Sequence, residues 1–285
     1  MTVHRPVLSQ KVIEYLNIKS GGLYIDATFG QGGHSQIILE KGGRVLGIEW
    51  DRNQYREAKI KYKKWLKEKK LILVNNNFSN IEAIAKNNNF FPADGVLFDL
   101  GISMSQINES GCGFSFKKLN EPLDLRINKK IKMTAADYLN RLPKEDLEEI
   151  LIKNAEVINY KRIVKEIILR RRVKAIKTVN DLVLIIDKVF KSKNEKIYRL
   201  VWQALRIFVN NELGNLEKGL KEAIRILKNN GKILVITFHS LEDRLVKKIV
   251  LENNLIFLTK KPIVSLADNY FERSAKLRVF SFKKC

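Results

Sequence analysis

The chain has 285 residues, 45% hydrophobic and 29% charged, which supplies a sizeable core and excludes a disordered chain. No apolar run reaches the roughly 18–20 residues that cross a bilayer, and the segment MTVHRPVLSQ lacks the basic and apolar parts of a signal peptide. Lys and Arg total 53 against 31 Asp and Glu, a net charge of +22, which favours a polyanionic partner such as nucleic acid, although a Lys-, Asn- and Ile-rich composition also follows from AT-rich coding.

Two cysteines, Cys112 and Cys285, provide neither a disulfide framework nor a cysteine-based zinc site. Together these features point to a soluble cytoplasmic protein. In chain order, Leu23–Thr28 is a short apolar run that ends in the turn Phe29-Gly30-Gln31-Gly32-Gly33. A helix is predicted to follow, with Ile37, Ile38 and Leu39 as apolar positions. Arg44–Ile48 reads as a second strand ending at Glu49, and Arg52 to Lys70 as a strongly basic helical stretch. Leu71–Val74 and Gly95–Phe98 are the third and fourth strands, the latter running into Asp99. This alternation predicts β-α-β units, a parallel sheet and helices on both of its faces.

From Cys112 to Val201 the strand signal stops. Leu147, Ile150 and Leu151, then Ile163, Val164, Ile167 and Ile168, follow helical spacing. A helix from Glu212 to Lys228 is predicted to stop at Asn229-Asn230-Gly231, before a strand at Lys232–Phe238. Leu255–Leu258 and Leu277–Phe282 could complete the sheet. The economical reading is an α/β domain, residues 1–111 and 202–285, interrupted by a helical insertion at 112–201.

The segment Asp26–His34, DATFGQGGH, is a strand feeding a helix through glycines, so backbone N–H groups and the helix start can approach a ligand closely. Glu49 stands 19 positions after Gly30, where a carboxylate can accept hydrogen bonds from both hydroxyls of a ribose. The alternative is a tight turn with no ligand. A dinucleotide fingerprint fails, because Ser35 occupies the position where a third glycine is needed, and Asp26 would repel a pyrophosphate. S-adenosylmethionine has a sulfonium, an amine and no phosphate, and it fits better.

Further along, FHSLEDR (Phe238–Arg244) follows a strong strand. His239 could contact a base or the RNA backbone, whereas Ser240 is expected to cap the next helix, with Asp243 completing the cap. No metal site is expected, since His4, His34 and His239 lack ligand spacing. Phe114, Phe116 and Trp202 near Arg206 are candidates to stack on an unstacked base, with core packing as the alternative. Two basic runs could hold RNA phosphates. The run Arg56–Lys70 is explained by a solvated helix face; Lys161–Lys177, with Arg170, Arg171 and Arg172 consecutive, is the better RNA candidate.

HRPVL, DATFGQGGHS, DGVLFDLGIS, GFSF, LDLR, WQALRIFVNNEL, FHSLEDR and RSAKLR occur in this order over essentially the whole chain. The sequence thereby resembles the bacterial family of small-subunit (16S) ribosomal RNA cytosine-N4 methyltransferases. The resemblance implies a Rossmann-like class I S-adenosylmethionine-dependent methyltransferase sheet with an inserted helical domain for RNA recognition. It implies methyl transfer to the exocyclic N4 of a cytosine at the decoding centre, with 16S rRNA or the small ribosomal subunit as partner, and it permits a homodimer. The family's cofactor contacts correspond to Gly32, Gly33, His34, Glu49, Phe78, Asp99 and Gln106.

Several positions depart from the family pattern: Glu49 replaces an Asp, Cys112 replaces the Arg before GFSF, and Asn154-Ala155-Glu156-Val157 replaces YGEE. The reaction needs the amine held in line with the methyl–sulfur bond and an acceptor for its N–H. Asp99 and His239 are the candidates, and the cysteines are incidental. Two other functions remain in view. A DNA amino-methyltransferase would carry a D/N/S-P-P-Y/F motif where this chain has Asp99-Leu100-Gly101-Ile102. A non-catalytic RNA-binding protein could retain the same fold.

Overall fold

A computed structural model describes residues 6–265 and 273–282; His4 and Cys285 lie outside the described residues. The chain divides into two compact units, Met1–Gly101 with Leu213–Cys285, and Ile102–Glu212. The first begins with α1 (Ser9–Leu16), β1 (Leu23–Asp26), α2 (Gly33–Glu40), β2 (Arg44–Ile48), α3 (Arg52–Lys61) and α4 (Lys63–Lys67). It continues through β3 (Leu71–Val74), a 3-10 turn at Phe78–Asn80, α5 (Ile81–Asn87) and β4 (Ala93–Asp99).

The second unit is helical: α6 (Met104–Glu109), α7 (Ala135–Arg141), α8 (Lys144–Ala155), α9 (Tyr160–Val173), α10 (Val179–Phe190) and α11 (Glu195–Asn210). It is wider at both ends than the insertion read from the sequence. At its near end the unit takes in α6; at its far end the reason is α11, which runs without a break through residues 201 and 202, where no composition change marks an end. Its last turn also organises the LDLR segment: the Asn210 side-chain amide donates to the Leu125 carbonyl at 2.8 Å, and its carbonyl accepts from the Ile127 N–H at 2.8 Å.

The chain then returns through α12 (Glu212–Ile226), β5 (Leu227–Thr237), α13 (Ser240–Glu252), β6 (Leu255–Phe257), β7 (Ile263–Val264) and β8 (Lys276–Phe282). The strand order is β3-β2-β1-β4-β5-β8-β6, with β7 beside β8. β1 to β5 pair in parallel and β8 runs antiparallel to β5. Strands covered on both faces read as continuous apolar runs, and Val45, Leu46 and Ile48 of β2 are indeed fully buried. Tyr24, Val45 and Leu97 pack with residues of α1 and α2, whereas Ile25, Leu46 and Val96 pack with residues of α5, α12 and α13.

β5 starts earlier than the Lys232 expected from the sequence. Leu227 pairs with Ala93, the register then shifts, and Lys232 pairs with Gly95. Asn229-Asn230-Gly231 is therefore a bulge within the strand rather than a turn before it. Strand order reverses between β1 and β4, and such a switch point opens a crevice at the carboxyl ends of the strands, where ligands of α/β sheets bind.

Candidate functional site

The loop after β1 is tied to both neighbouring strands: the Ala27 N–H donates to the Leu97 carbonyl at 2.8 Å and the Phe29 N–H to the Ile48 carbonyl at 2.9 Å. Gly30 and Gly32 have φ of +52° and +75°, a region that side chains other than glycine's rarely adopt. A Cβ on Gly32 would lie 2.6 Å from the Tyr62 ring and 2.7 Å from Phe29; one on Gly33 would lie 2.5 Å from Pro6. Gly32 caps α2 with no side chain, so the first N–H groups of that helix face the crevice uncovered. The Tyr62 hydroxyl braces the loop from behind, donating toward the carbonyls of Gln31 and Gly32 at 3.0 and 2.9 Å. Nothing in the spacing of the sequence singled out Tyr62.

Three carboxylates stand at the carboxyl ends of β1, β2 and β4. Asp26 is buried, accepting from the Ser35 hydroxyl at 2.6 Å and the Thr28 N–H at 3.2 Å. Burial pushes its carboxyl above the usual range despite those bonds. Glu49 accepts from the Gly30 N–H at 2.7 Å and the Asp51 N–H at 2.6 Å. The extra methylene of a glutamate here lets the carboxylate close the loop from the β2 side. Burial again dominates, and its pKa is pushed up to about 7.

Asp99 differs from both. Its backbone N–H donates to the Thr28 hydroxyl at 2.6 Å, while its side chain is 27% exposed, with Oδ2 3.6 Å from the His34 Nε2. The other oxygen, Oδ1, and both ring nitrogens of the buried His34 have no hydrogen-bond partner within the protein. Buried polar atoms are normally satisfied, so this cluster suits a ligand that brings its own donors and acceptors. Phe78 borders the same unit, edge-on to Phe98 at 5.6 Å and close over Gly219, where a Cβ would come within 2.8 Å of it. A crevice of carboxylates with few cations attracts a sulfonium and an ammonium and disfavours a pyrophosphate.

FHSLEDR differs from the sequence expectation by one position. The N-cap of α13 is His239, whose Nδ1 accepts from the Glu242 N–H at 3.4 Å, while Glu242 accepts from the Phe238 and His239 N–H groups at 2.8 and 3.3 Å. Ser240 and Asp243 do not form the cap; Asp243 pairs instead with Arg278. His239 is thus a helix-capping residue, with its Nε2 also 3.2 Å from the Glu242 carboxylate.

In the helical unit, Gln106 is buried in a capping box with Ser103, their bonds 2.9 and 3.1 Å long. Phe114 is buried in the unit's core, and Phe116 packs against Tyr198 and Trp202 at 5.4 and 6.1 Å. Trp202 donates its indole N–H to the Gly113 carbonyl at 2.8 Å. Phe114 and Trp202 are buried and hold the unit together, whereas Phe116 is only partly buried. Arg206 is engaged as well, gripping Glu212 with two hydrogen bonds of 2.8 and 3.0 Å. Of the consecutive arginines, Arg171 donates to the carbonyls of Leu139 and Leu142 at 2.8 Å each, and Arg170 lies 3.5 Å from Asp181. Arg172 alone of the three is exposed.

Residues 1–283 match the MraW methylase family. The chain belongs to this family. It is 38% identical to ribosomal RNA small subunit methyltransferase H of Dictyoglomus thermophilum, over 98% of this chain and 96% of that one. The enzymes of the same name from Mycoplasma capricolum and Clostridium botulinum are 36% and 35% identical, covering 98% and 97% of this chain and 99% and 97% of theirs. The cofactor of this methylase is S-adenosylmethionine, in keeping with the glycine cradle and the three carboxylates. No helix among the described residues is long and apolar enough to cross a membrane.

Proposed function

We propose that this methylase transfers a methyl group from S-adenosylmethionine to the exocyclic N4 of a cytosine at the decoding centre of small-subunit ribosomal RNA. The coarser statement, a methylase of small-subunit rRNA, rests on near full-length similarity to relatives that carry that activity in their name. The choice of an amine rests chiefly on one observation: Asp99 Oδ1 has no partner within the protein, at the carboxyl end of β4 beside the glycine loop. A carboxylate oxygen there can accept an N–H from an exocyclic amine, turn the nitrogen lone pair toward the methyl donor, and take up the released proton.

Bound S-adenosylmethionine supplies an electrophilic methyl group on a sulfonium. In this reading Gly32, Gly33 and His34 approach it from the loop, Glu49 accepts from its ribose hydroxyls, and Phe78 and Asp99 complete its surroundings within the α/β unit. Asp26 stays buried behind the loop and contributes negative potential. Methylation at a ring carbon through a cysteine adduct finds no support: Cys112, the free cysteine among the described residues, is buried, with its thiol turned to the Ser110 carbonyl at 3.3 Å.

The test is mass spectrometry of small-subunit rRNA from cells with and without the gene. The reading expects loss of a single N4-methylcytidine at the decoding centre, restored by the intact chain. Loss of a ring-carbon or ribose methyl group instead would overturn the choice of N4.

A further inference from the structure

We propose that the exposed surface of α3 and α4 is a docking face for the RNA phosphate backbone, so that the α/β unit contributes directly to substrate capture. This rests on the reading above that RNA is the substrate; it adds where the backbone is held, and it moves that site away from the arginine triplet that the sequence favoured.

Between residues 52 and 70 there are nine Lys or Arg and two acids, Glu57 and Glu68. All nine cations are exposed. Lys70 pairs with Glu68 at 3.2 Å, but among the described residues Arg52, Arg56, Lys59, Lys63 and Lys67 meet no carboxylate. Elsewhere, exposed cations commonly do: Lys86 meets Glu82 at 2.7 Å, Lys188 meets Glu166 at 2.6 Å and Lys11 meets Glu14 at 2.7 Å.

Helix electrostatics accounts for only part of this arrangement: Lys59 and Lys61, then Lys64 and Lys67, complement the negative ends of α3 and α4, whereas Arg52 and Arg56 have no such support. Arg52, Arg56 and Lys59 follow i, i+4 and i+7 spacing on one face of α3, where like charges destabilise a helix. Arg52 also sits at the positive end of the helix dipole, the wrong end for a cation. A polyanion laid along the helix would reverse both costs, and phosphates are the polyanion of this protein's substrate. The helix itself adjoins the cofactor loop: Lys61, about half a turn round α3 from Arg52, Arg56 and Lys59, donates from Nζ to the Gln31 carbonyl at 3.0 Å. Ile60, 78% exposed among the cations, offers an apolar contact to a sugar or base. Phosphate contacts position an RNA without reading its sequence, so this face predicts affinity without selectivity.

The experiment measures binding of the full chain to in vitro transcribed small-subunit rRNA over a salt series. A variant carrying Arg56→Gln, Lys59→Gln, Lys63→Gln and Lys67→Gln is expected to flatten the plot of log affinity against log salt by about 3, at roughly 0.7–0.9 for each phosphate contact. Its S-adenosylmethionine affinity, measured by calorimetry, should match the wild type and show that the fold is intact. The charge-keeping variant, Arg56→Lys with Lys59→Arg, Lys63→Arg and Lys67→Arg, should keep the wild-type slope. An unchanged slope in the glutamine variant, with cofactor binding intact, overturns the docking face. Methyl transfer to purified small subunits tests the function separately. A wild-type chain that fails to methylate N4 but shows the slope difference leaves the face standing and removes the proposed reaction.

Discussion

Arg278 donates from Nε and Nη2 to the two carboxylate oxygens of Asp243, at 2.5 and 3.1 Å, with the two side chains only 9% and 10% exposed. The pair fastens FHSLEDR at the start of α13 to RSAKLR on β8. Burial works against the Asp243 carboxylate, but the hydrogen bonds from Arg278 and the nearby Lys247 and Lys276 charges outweigh it and hold its pKa below the usual range. Removing one partner strands a buried charge, so Arg278→Met should cost about 3–5 kcal/mol in urea unfolding. Replacing both, Arg278→Met with Asp243→Leu, should recover much of that loss. Because the folded pKa is depressed, the pair's contribution is present above the ordinary value of 3.8 and fades as pH falls through the lower folded value.

Two glycines of the loop separate strain from crowding. Gly32 would bring a Cβ to 2.6 Å from Tyr62, whereas the nearest atom to a Cβ on Gly30 is 3.5 Å away. Both have positive φ. Gly30→Ala should therefore carry only the left-handed strain, about 1–2 kcal/mol. Gly32→Ala should add an overpacking cost of about 1–3 kcal/mol and displace the loop. Thermal unfolding and cofactor titration of the two variants side by side would expose the difference. Equal losses in both would mean that Tyr62 and Phe29 do not confine the loop.

Much of this architecture was legible in the sequence because its signals are local. Apolar runs ending at Asp26, Glu49 and Asp99 mark strands buried on both faces, and glycines mark the loop that joins the first of them to its helix. Long-range competition was not legible. Ser240 is a favoured cap residue by type, yet Glu242 reaches back to two N–H groups and makes His239 the cap. Likewise, Arg170, Arg171 and Arg172 look equivalent along the chain, and only the carbonyls that end α7 distinguish Arg171 from Arg172. The burial of Phe114 beneath the insertion's own helices depends on residues far away in sequence, so spacing could not distinguish a core ring from a stacking ring.

Glu49 should make cofactor binding pH-dependent. Its folded pKa is raised from 4.5 to about 7, so the folded protein binds more protons than the unfolded chain between these values. Stability of the cofactor-free protein should then fall as pH rises through this window, by up to about 3 kcal/mol from this residue. Buried Asp26 acts in the same direction. Ribose hydroxyls donate to the ionised carboxylate and favour it, so S-adenosylmethionine should bind more tightly as pH rises toward about 7, with proton release seen by calorimetry in buffers of different ionisation heat. Glu49→Gln should abolish most of that release and weaken binding by about 1.5–3 kcal/mol. Unchanged affinity in this variant would remove Glu49 from the ribose site.

Asp99 can serve as a cofactor contact, a proton acceptor, or both, and kinetics can distinguish these roles. Asn in its place still accepts a hydrogen bond but cannot take a proton. If Asp99 accepts the amine proton, Asp99→Asn should lower kcat by about 10²–10⁴-fold. A rise in the KM for S-adenosylmethionine with kcat intact would instead restrict Asp99 to cofactor binding.

The arginine triplet yields a prediction opposite to the one its spacing suggests. Arg171 donates to the carbonyls of Leu139 and Leu142, the last turn and C-cap of α7. Carbonyls at a helix end need partners from outside the helix, and a guanidinium also complements the negative end of the dipole. Arg171→Gln should therefore destabilise the protein by about 1.5–3 kcal/mol, the range for hydrogen bonds to a charged group. Arg172 is exposed and has no such task, so Arg172→Gln should leave the unfolding midpoint within about 0.5 kcal/mol of wild type. If Arg172 touches RNA, its loss should flatten the salt plot by about 0.7–0.9, one contact's worth. A triple variant that unfolded would reveal nothing about RNA, because the Arg171 effect would mask the others. The single variants keep the two roles apart: a salt slope that fell only in the stable Arg172→Gln protein would place one phosphate contact on α9.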